Sequence, residues 1–214
     1  MDTLQLITLA MGASWASGIN LYAAVSMLGI MGLTGNIDLP PELQVLTNPL
    51  VLAAAGFMYL VEFFTDKIPG VDSLWDTLHT FIRIPAGALL AAGAVGELGS
   101  AAELAALLLG GGISTATHLT KSGSRVLINT SPEPLSNWTV SIGEDLAVFA
   151  GLWAALQHPG VFIILFILFI LLLIWLLPVI WRGIKMVFRK IRGLFRQKSG
   201  QDNKPANIEQ INKQ

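Results

Sequence analysis

From Val161 to Leu177 the chain reads VFIILFILFILLLIWLL, a run whose only polar side-chain atom is one indole nitrogen. A helix that crosses the hydrocarbon core of a bilayer needs about 20 mostly apolar residues. Val161–Trp181 supplies them, and a helix that is apolar all round must be buried in protein or in lipid. The charges agree with lipid. Nine of the 13 Lys and Arg fall between Arg182 and Lys213, leaving Lys67, Arg83, Lys121 and Arg125 for the rest of the chain. Only 13% of residues are charged, about half the usual share of a soluble domain. This pattern excludes a soluble globular domain, a disordered chain and a nucleic-acid binder with a basic face. The chain has no Cys, which excludes disulfides and thiolate metal sites.

The sequence predicts an all-α, polytopic membrane domain over residues 1–181. Six spans are expected: Leu4–Leu33, Pro49–Phe64, Ser73–Val95, Ala101–Leu119, Trp138–Leu156 and Val161–Trp181. The first five are rich in Ala, Gly, Ser and Thr, as in helices that pack closely on neighbours. The sixth is expected to face lipid. Met1–Thr3 lacks the basic start of a secretory signal, so the first helix is predicted to be retained. With the N-terminus in the cytoplasm, Lys67, Lys121, Arg125 and the nine tail charges all fall inside. Asp38, Glu42, Glu97 and Glu103 then fall outside. The positive-inside rule therefore predicts cytoplasmic termini at both ends.

Residues 182–198 alternate basic residues with Ile184, Val187, Phe188, Ile191, Leu194 and Phe195 at helical spacing. They predict a juxtamembrane amphipathic helix on an anionic leaflet. Residues 199–214 are polar and are predicted to be disordered.

Three short matches recur in one order: Pro69-Gly70-Val71 with Pro159-Gly160-Val161, Asn48 with Asn137, and Gly18-Ile19-Asn20 with Gly112-Ile113-Ser114. They predict a three-plus-three repeat, with halves 4–95 and 101–181. An odd number of spans per half inverts the second copy. The first helix, at about 1.5 Å per residue, is too long for a core of about 30 Å unless it tilts or breaks. The expected break is Ala16–Asn20, and its counterpart is Gly110–Thr115, where three glycines weaken a helix. Asn20, Ser114 and Thr115 would then meet near the bilayer centre.

Ionisable residues inside spans are costly and mark working sites by default. Glu62 and Asp66 share a helix face. Asp72, Asp76, His79 and Arg83 follow at spacings of three and four on the next helix. The stripe reads as a salt-bridge lattice, as an ion or proton site, or as a metal site built on Asp-x-x-His. Lys67 and Arg83 weigh against a metal, and none is assigned. Glu144 and Asp145 add two carboxylates to the fifth helix. Being adjacent, they diverge by about 100° and point to different neighbours; His118 and Lys121 are the expected partners. There is no phosphate loop, nucleophile elbow or zinc signature, so no catalytic residue or cofactor is assigned.

ASGINLYAAVSMLG (16–29), EFFTDKIPGVDSLWDTLHTFIR (62–83) and PAGALLAAGAVG (85–96) resemble the bacterial membrane family catalogued as domain of unknown function 4126. The resemblance implies a small integral protein of a bacterial inner membrane and assigns no activity.

The leading reading is a small transporter or channel-like protein for an ion or small polar solute. Proton coupling is open to its titratable groups. Asn20, Ser114 and Thr115 would form the midplane site. Glu62, Asp66, Asp72, Asp76, His79, Arg83, Glu144 and Asp145 would form the coupling cluster. A non-transporting scaffold that holds lipid through the basic stretch is the alternative. A lipid-headgroup enzyme using His79 and a carboxylate is a third. The small size for a two-repeat transporter predicts a homodimer.

Overall fold

The computed structural model describes residues 1–129 and 134–201. The helices are α1 (Thr3–Leu33), α2 (Pro49–Thr65), α3 (Val71–Ala94), α4 (Ser100–Ile128), α5 (Pro134–Gln157) and α6 (Pro159–Gln201), with short 3₁₀ turns at Pro41–Thr47 and Gly96–Leu98. Local chemistry sets the starts. Asp2 and Gln5 form a reciprocal capping box before α1. Asn48 caps α2 through Leu50 N–H, and Pro49 takes the first turn. Gly70, at φ +86°, makes the turn into α3.

The fold is all-α and polytopic. Among the described residues three helices are long and apolar enough to cross a membrane: Thr3–Leu33, Leu135–Gln157 and Pro159–Met186. A fourth is added if the bent pair Pro41–Thr47 and Pro49–Thr65 counts as one span. Burial is inverted relative to a water-soluble protein. Leu50, Phe57, Phe81, Leu108 and Ile174 are exposed, whereas Glu62, Asp72, Asp76, Arg83 and Arg125 are wholly buried. On α6, Leu165, Leu168 and Ile174 are exposed at the surface of the bundle.

Helix α1 is two helices joined at one residue. Asn20 alone has non-helical dihedrals (φ −147°, ψ 94°). Its Oδ1 accepts from Ala23 N–H at 2.9 Å, so Asn20 serves as an internal N-cap for the second half. The expected break in α1 is thus present.

The geometry of that break changes the topology. Ser17, just before it, donates to the carbonyl of Arg83, midway along α3. The first half of α1 lies outward of this level, with Ile7 sharing a crevice with Ala91 and Val95. The second half also runs outward. Its Gly29 abuts Leu46 of the Pro41–Thr47 turn, and Leu43 of that turn abuts Gly93 of α3. Both ends of α1 therefore lie at the Ala94 end of α3. At that end Gly12 meets Phe162 near the start of α6, while Ile180, further along α6, meets Gly123 near the far end of α4. The N-terminal turn and the basic stretch lie at opposite ends of the bundle. The sequence reading took α1 as a single crossing, whereas the helix turns back at Asn20.

Three other expectations differ from the fold. Helix α4 runs unbroken from Ser100 to Ile128, so the break at Gly110–Thr115 is not seen. Gly110 serves contact instead: a Cβ there would overlap that of Ala91 and fall 2.8 Å from Ser14 Oγ. With α1 bent back and α4 straight, the expected halves 4–95 and 101–181 differ in their first helix. Residues 182–198 continue α6 without a break and form no separate helix along a leaflet. Within 199–214, residues 202–214 lie outside the described residues.

Candidate functional site

The inner end of each α1 half meets a buried charge network. Because Asn20 takes Ala23 N–H, the carbonyl of Ile19 has lost its helical partner. Lys121 Nζ fills that role at 2.9 Å. The same ammonium lies 2.7 Å from Asp66 Oδ2 and 3.3 Å from Glu62 Oε1. Asp76 Oδ1 and Glu144 Oε2 stand further off, each at 3.8 Å. Arg83 bridges Glu62 (2.7 Å) and Asp76 (2.8 Å), with all three side chains fully buried. Arg125 pairs with Glu144 and lies 3.7 Å from Asp66. Helices α2, α3, α4 and α5 each give at least one member, Asp66 being the C-cap of α2.

These pairs share three cations among four carboxylates. Glu62 Oε2, Asp66 Oδ1 and Asp76 Oδ2 remain buried without a hydrogen-bond partner. Burying such groups is costly unless each is paired, and removing one partner leaves an uncompensated charge. Asp145, one residue from Glu144, turns away as the 100° step requires. It accepts from Asn20 Nδ2 at 2.9 Å, and its Oδ2 has no partner.

Several expected residues lie outside the network. His79 contacts the Trp75 carbonyl through Nδ1 and Tyr22 Oη through Nε2, and stacks on the Trp75 ring. Asp72 organises the α2–α3 turn. It accepts from Gly70 N–H and from Asn129 Nδ2. Thr115 bonds only within α4, to Gly111. Ser114 does reach the centre: it donates to the same Arg83 carbonyl as Ser17. Asn20 meets Asp145 rather than the Gly110–Thr115 segment.

Lys121 and Arg125 lie on α4, which extends nine residues past the expected Leu119 end; of the two carboxylates expected to partner Lys121, Glu144 stands at 3.8 Å and Asp145 pairs with Asn20 instead. His118 joins them, contacting Thr80 Oγ1 through Nε2 and lying 3.4 Å from Arg83 through Nδ1. The spacing His-x-x-Lys-x-x-x-Arg is the signal that identifies this face. Lys67, in the turn after α2, donates to the Phe63 carbonyl and sits 3.0 Å over the Phe63 ring. Burial holds its ammonium below the usual lysine range, against the opposing pull of Asp145 and Asp66. Among the described residues no group of three or more His, Asp or Glu could hold a metal ion.

A family model described as a domain of unknown function (DUF4126) matches residues 7–179. The chain belongs to that family. It is a multi-pass membrane protein of a family found in bacteria, and its membrane-embedded helices enclose an extensive buried salt-bridge network. No curated protein and no solved structure matches the chain.

Proposed function

We propose that the chain is a small transporter of an ion or small polar solute, working through the break in α1. One observation carries the reading. An ion-pair network held by four helices meets a freed backbone carbonyl at the turn of a helix inside a membrane domain. Broken helices whose carbonyls and end dipoles face a central site are the recurring device of secondary transporters. From the Ala94 end, an apolar crevice of about 410 Å³ descends between α1, α3 and α4 to Ser14 and Gly110. Below it Gly87 packs against Ser114 and Ser17. These small residues act as a closed septum between the crevice and the charges. Asn20, Ser114 and the network carboxylates form the working site, and Asp145 is the carboxyl free to exchange a proton.

The nine basic residues after Trp181 put the C-terminal end of the bundle, with the α2–α3 turn, in the cytoplasm by the positive-inside rule. The N-terminal turn then faces outward. The basic stretch anchors this end on anionic lipid.

A scaffold reading draws on the close packing of the septum. The enzyme reading loses its acid–base pair, since His79 contacts Tyr22 rather than a carboxylate. Reconstitution into vesicles separates transporter from scaffold: a transporter dissipates an imposed gradient, and a scaffold leaves it intact.

A further inference from the structure

We infer that the oxygens around Lys121 form a binding cage for a monovalent cation of ammonium size, with the lysine as its tethered occupant. This deepens the transport reading and rests on it for its biological role. The cage draws on four helices. Ile19 O and Asp66 Oδ2 stand at 2.9 and 2.7 Å from the ammonium, Glu62 Oε1 at 3.3 Å, and Asp76 and Glu144 at 3.8 Å. Two features set it apart from an ordinary acidic cluster. The Ile19 carbonyl is freed by a dedicated break, at which Asn20 has taken over the Ala23 amide. In addition, Glu62, Asp66 and Asp76 each keep a second, buried oxygen without a partner, so the cage has acceptor capacity that Lys121 does not use.

The spacing selects the ligand class. Mg²⁺ and Ca²⁺ need oxygens at about 2.0–2.6 Å in a tighter shell. The inner distances here match N–H···O hydrogen bonds of about 2.7–3.2 Å. An ammonium ion, a small primary amine or an alkali ion of similar size has the required charge and radius. Entry requires that the Lys121 ammonium leave Ile19 O, Asp66 and Glu62 together. In Lys121→Ala a monovalent cation replaces the missing charge one for one, so Arg83 and Arg125 keep their carboxylate partners. In transport, withdrawal of Lys121 from the apex of α1 would couple cation entry to movement of the helix break.

The test is cation rescue of full-length Lys121→Ala in detergent. Thermal unfolding is followed by tryptophan fluorescence while ammonium, methylammonium, potassium or sodium chloride is titrated, at ionic strength held constant with choline chloride. The cage predicts a saturable rise in Tm of roughly 5–10 °C for at least one small cation. Wild type should show a flat response, because its lysine fills the site. Which salt rescues best distinguishes an ammonium-type ligand from an alkali ion. Adding Asp66→Asn to Lys121→Ala should abolish the rescue. If Lys121→Ala yields no folded protein, Lys121→Gln, which keeps a donor for Ile19, carries the same titration. A response no greater than that to choline, in whichever variant folds, overturns the cage. Binding is read here without flux. A flat titration beside a dissipated gradient rejects the cage alone; a saturable one beside an intact gradient rejects transport alone.

Discussion

Replacing Arg83 by Met removes the guanidinium that joins Glu62 to Asp76 and leaves the backbone in place. The substitution isolates the charge, because the hydrogen bonds from Ser17 and Ser114 go to the Arg83 carbonyl, not to its side chain. Both lost ion pairs, at 2.7 and 2.8 Å, are wholly buried. Breaking a buried pair by deleting one partner costs about 3–5 kcal/mol. Two pairs are lost here, but the total stays within that range, because Lys121 remains 3.3 Å from Glu62 and 3.8 Å from Asp76. The loss arises from stranded charge, so it should be reversible by neutralisation. Adding Glu62→Gln and Asp76→Asn to Arg83→Met should restore stability to within about 1–2 kcal/mol of wild type, since neutral, well-packed replacements of buried ion pairs are tolerated. Equilibrium unfolding in mixed detergent micelles, read by tryptophan fluorescence, measures both variants. A loss below about 1 kcal/mol in Arg83→Met, or a triple variant no more stable than the single, would refute the reasoning.

Two further predictions concern topology and packing. Single cysteines at Thr3 and Met186, in a chain that has none, should be labelled by an impermeant reagent from opposite faces of the membrane; labelling of both from one face would mean that α1 crosses fully. Gly110→Ala, whose Cβ would overlap Ala91, should destabilise by about 1–3 kcal/mol. Gly112→Ala, which meets nothing within 4 Å, should be neutral or stabilise by up to about 1 kcal/mol. The same unfolding assay compares them, and equal effects would remove the contact role assigned to Gly110.

The contrast between these two glycines shows where sequence reading stops. Glycine permits both unwinding and close approach, and only the neighbouring helix decides between them. In α1 the length of the run and an Asn able to cap forced a break. In α4 Ala91 and Ser14 lie so near that Gly110 is used for contact, while Gly112 faces open space in a helix that stays continuous. The direction of the bend was not legible, because one residue with altered dihedrals can kink a helix or fold it back. The paired faces of α2 and α3 were readable from spacings of three and four, and Glu62, Asp66, Asp76 and Arg83 do meet. His79 and Asp72 share the stripe but not the site: one turns toward Tyr22 of α1, and the other lies at the helix start, where it caps a turn. Lys121 was read as a partner of Glu144 and Asp145 and does lie 3.8 Å from Glu144, but its nearer carboxylates, Asp66 and Glu62, come from α2 and cannot be read from the spacing on α4. Asn20 does mark the break in α1, but its partner Asp145 lies 125 residues away in sequence.

Flux through purified protein in sealed vesicles tests the central claim most directly. Wild type should dissipate an imposed gradient of protons or of a small monovalent cation faster than protein-free vesicles. Asp145→Asn, which keeps an acceptor for Asn20 Nδ2 but cannot release a proton, should insert and unfold like wild type and fail to do so. If wild type is no faster than empty vesicles under proton, ammonium, sodium and potassium gradients, the network is a structural clamp and the transport reading is wrong.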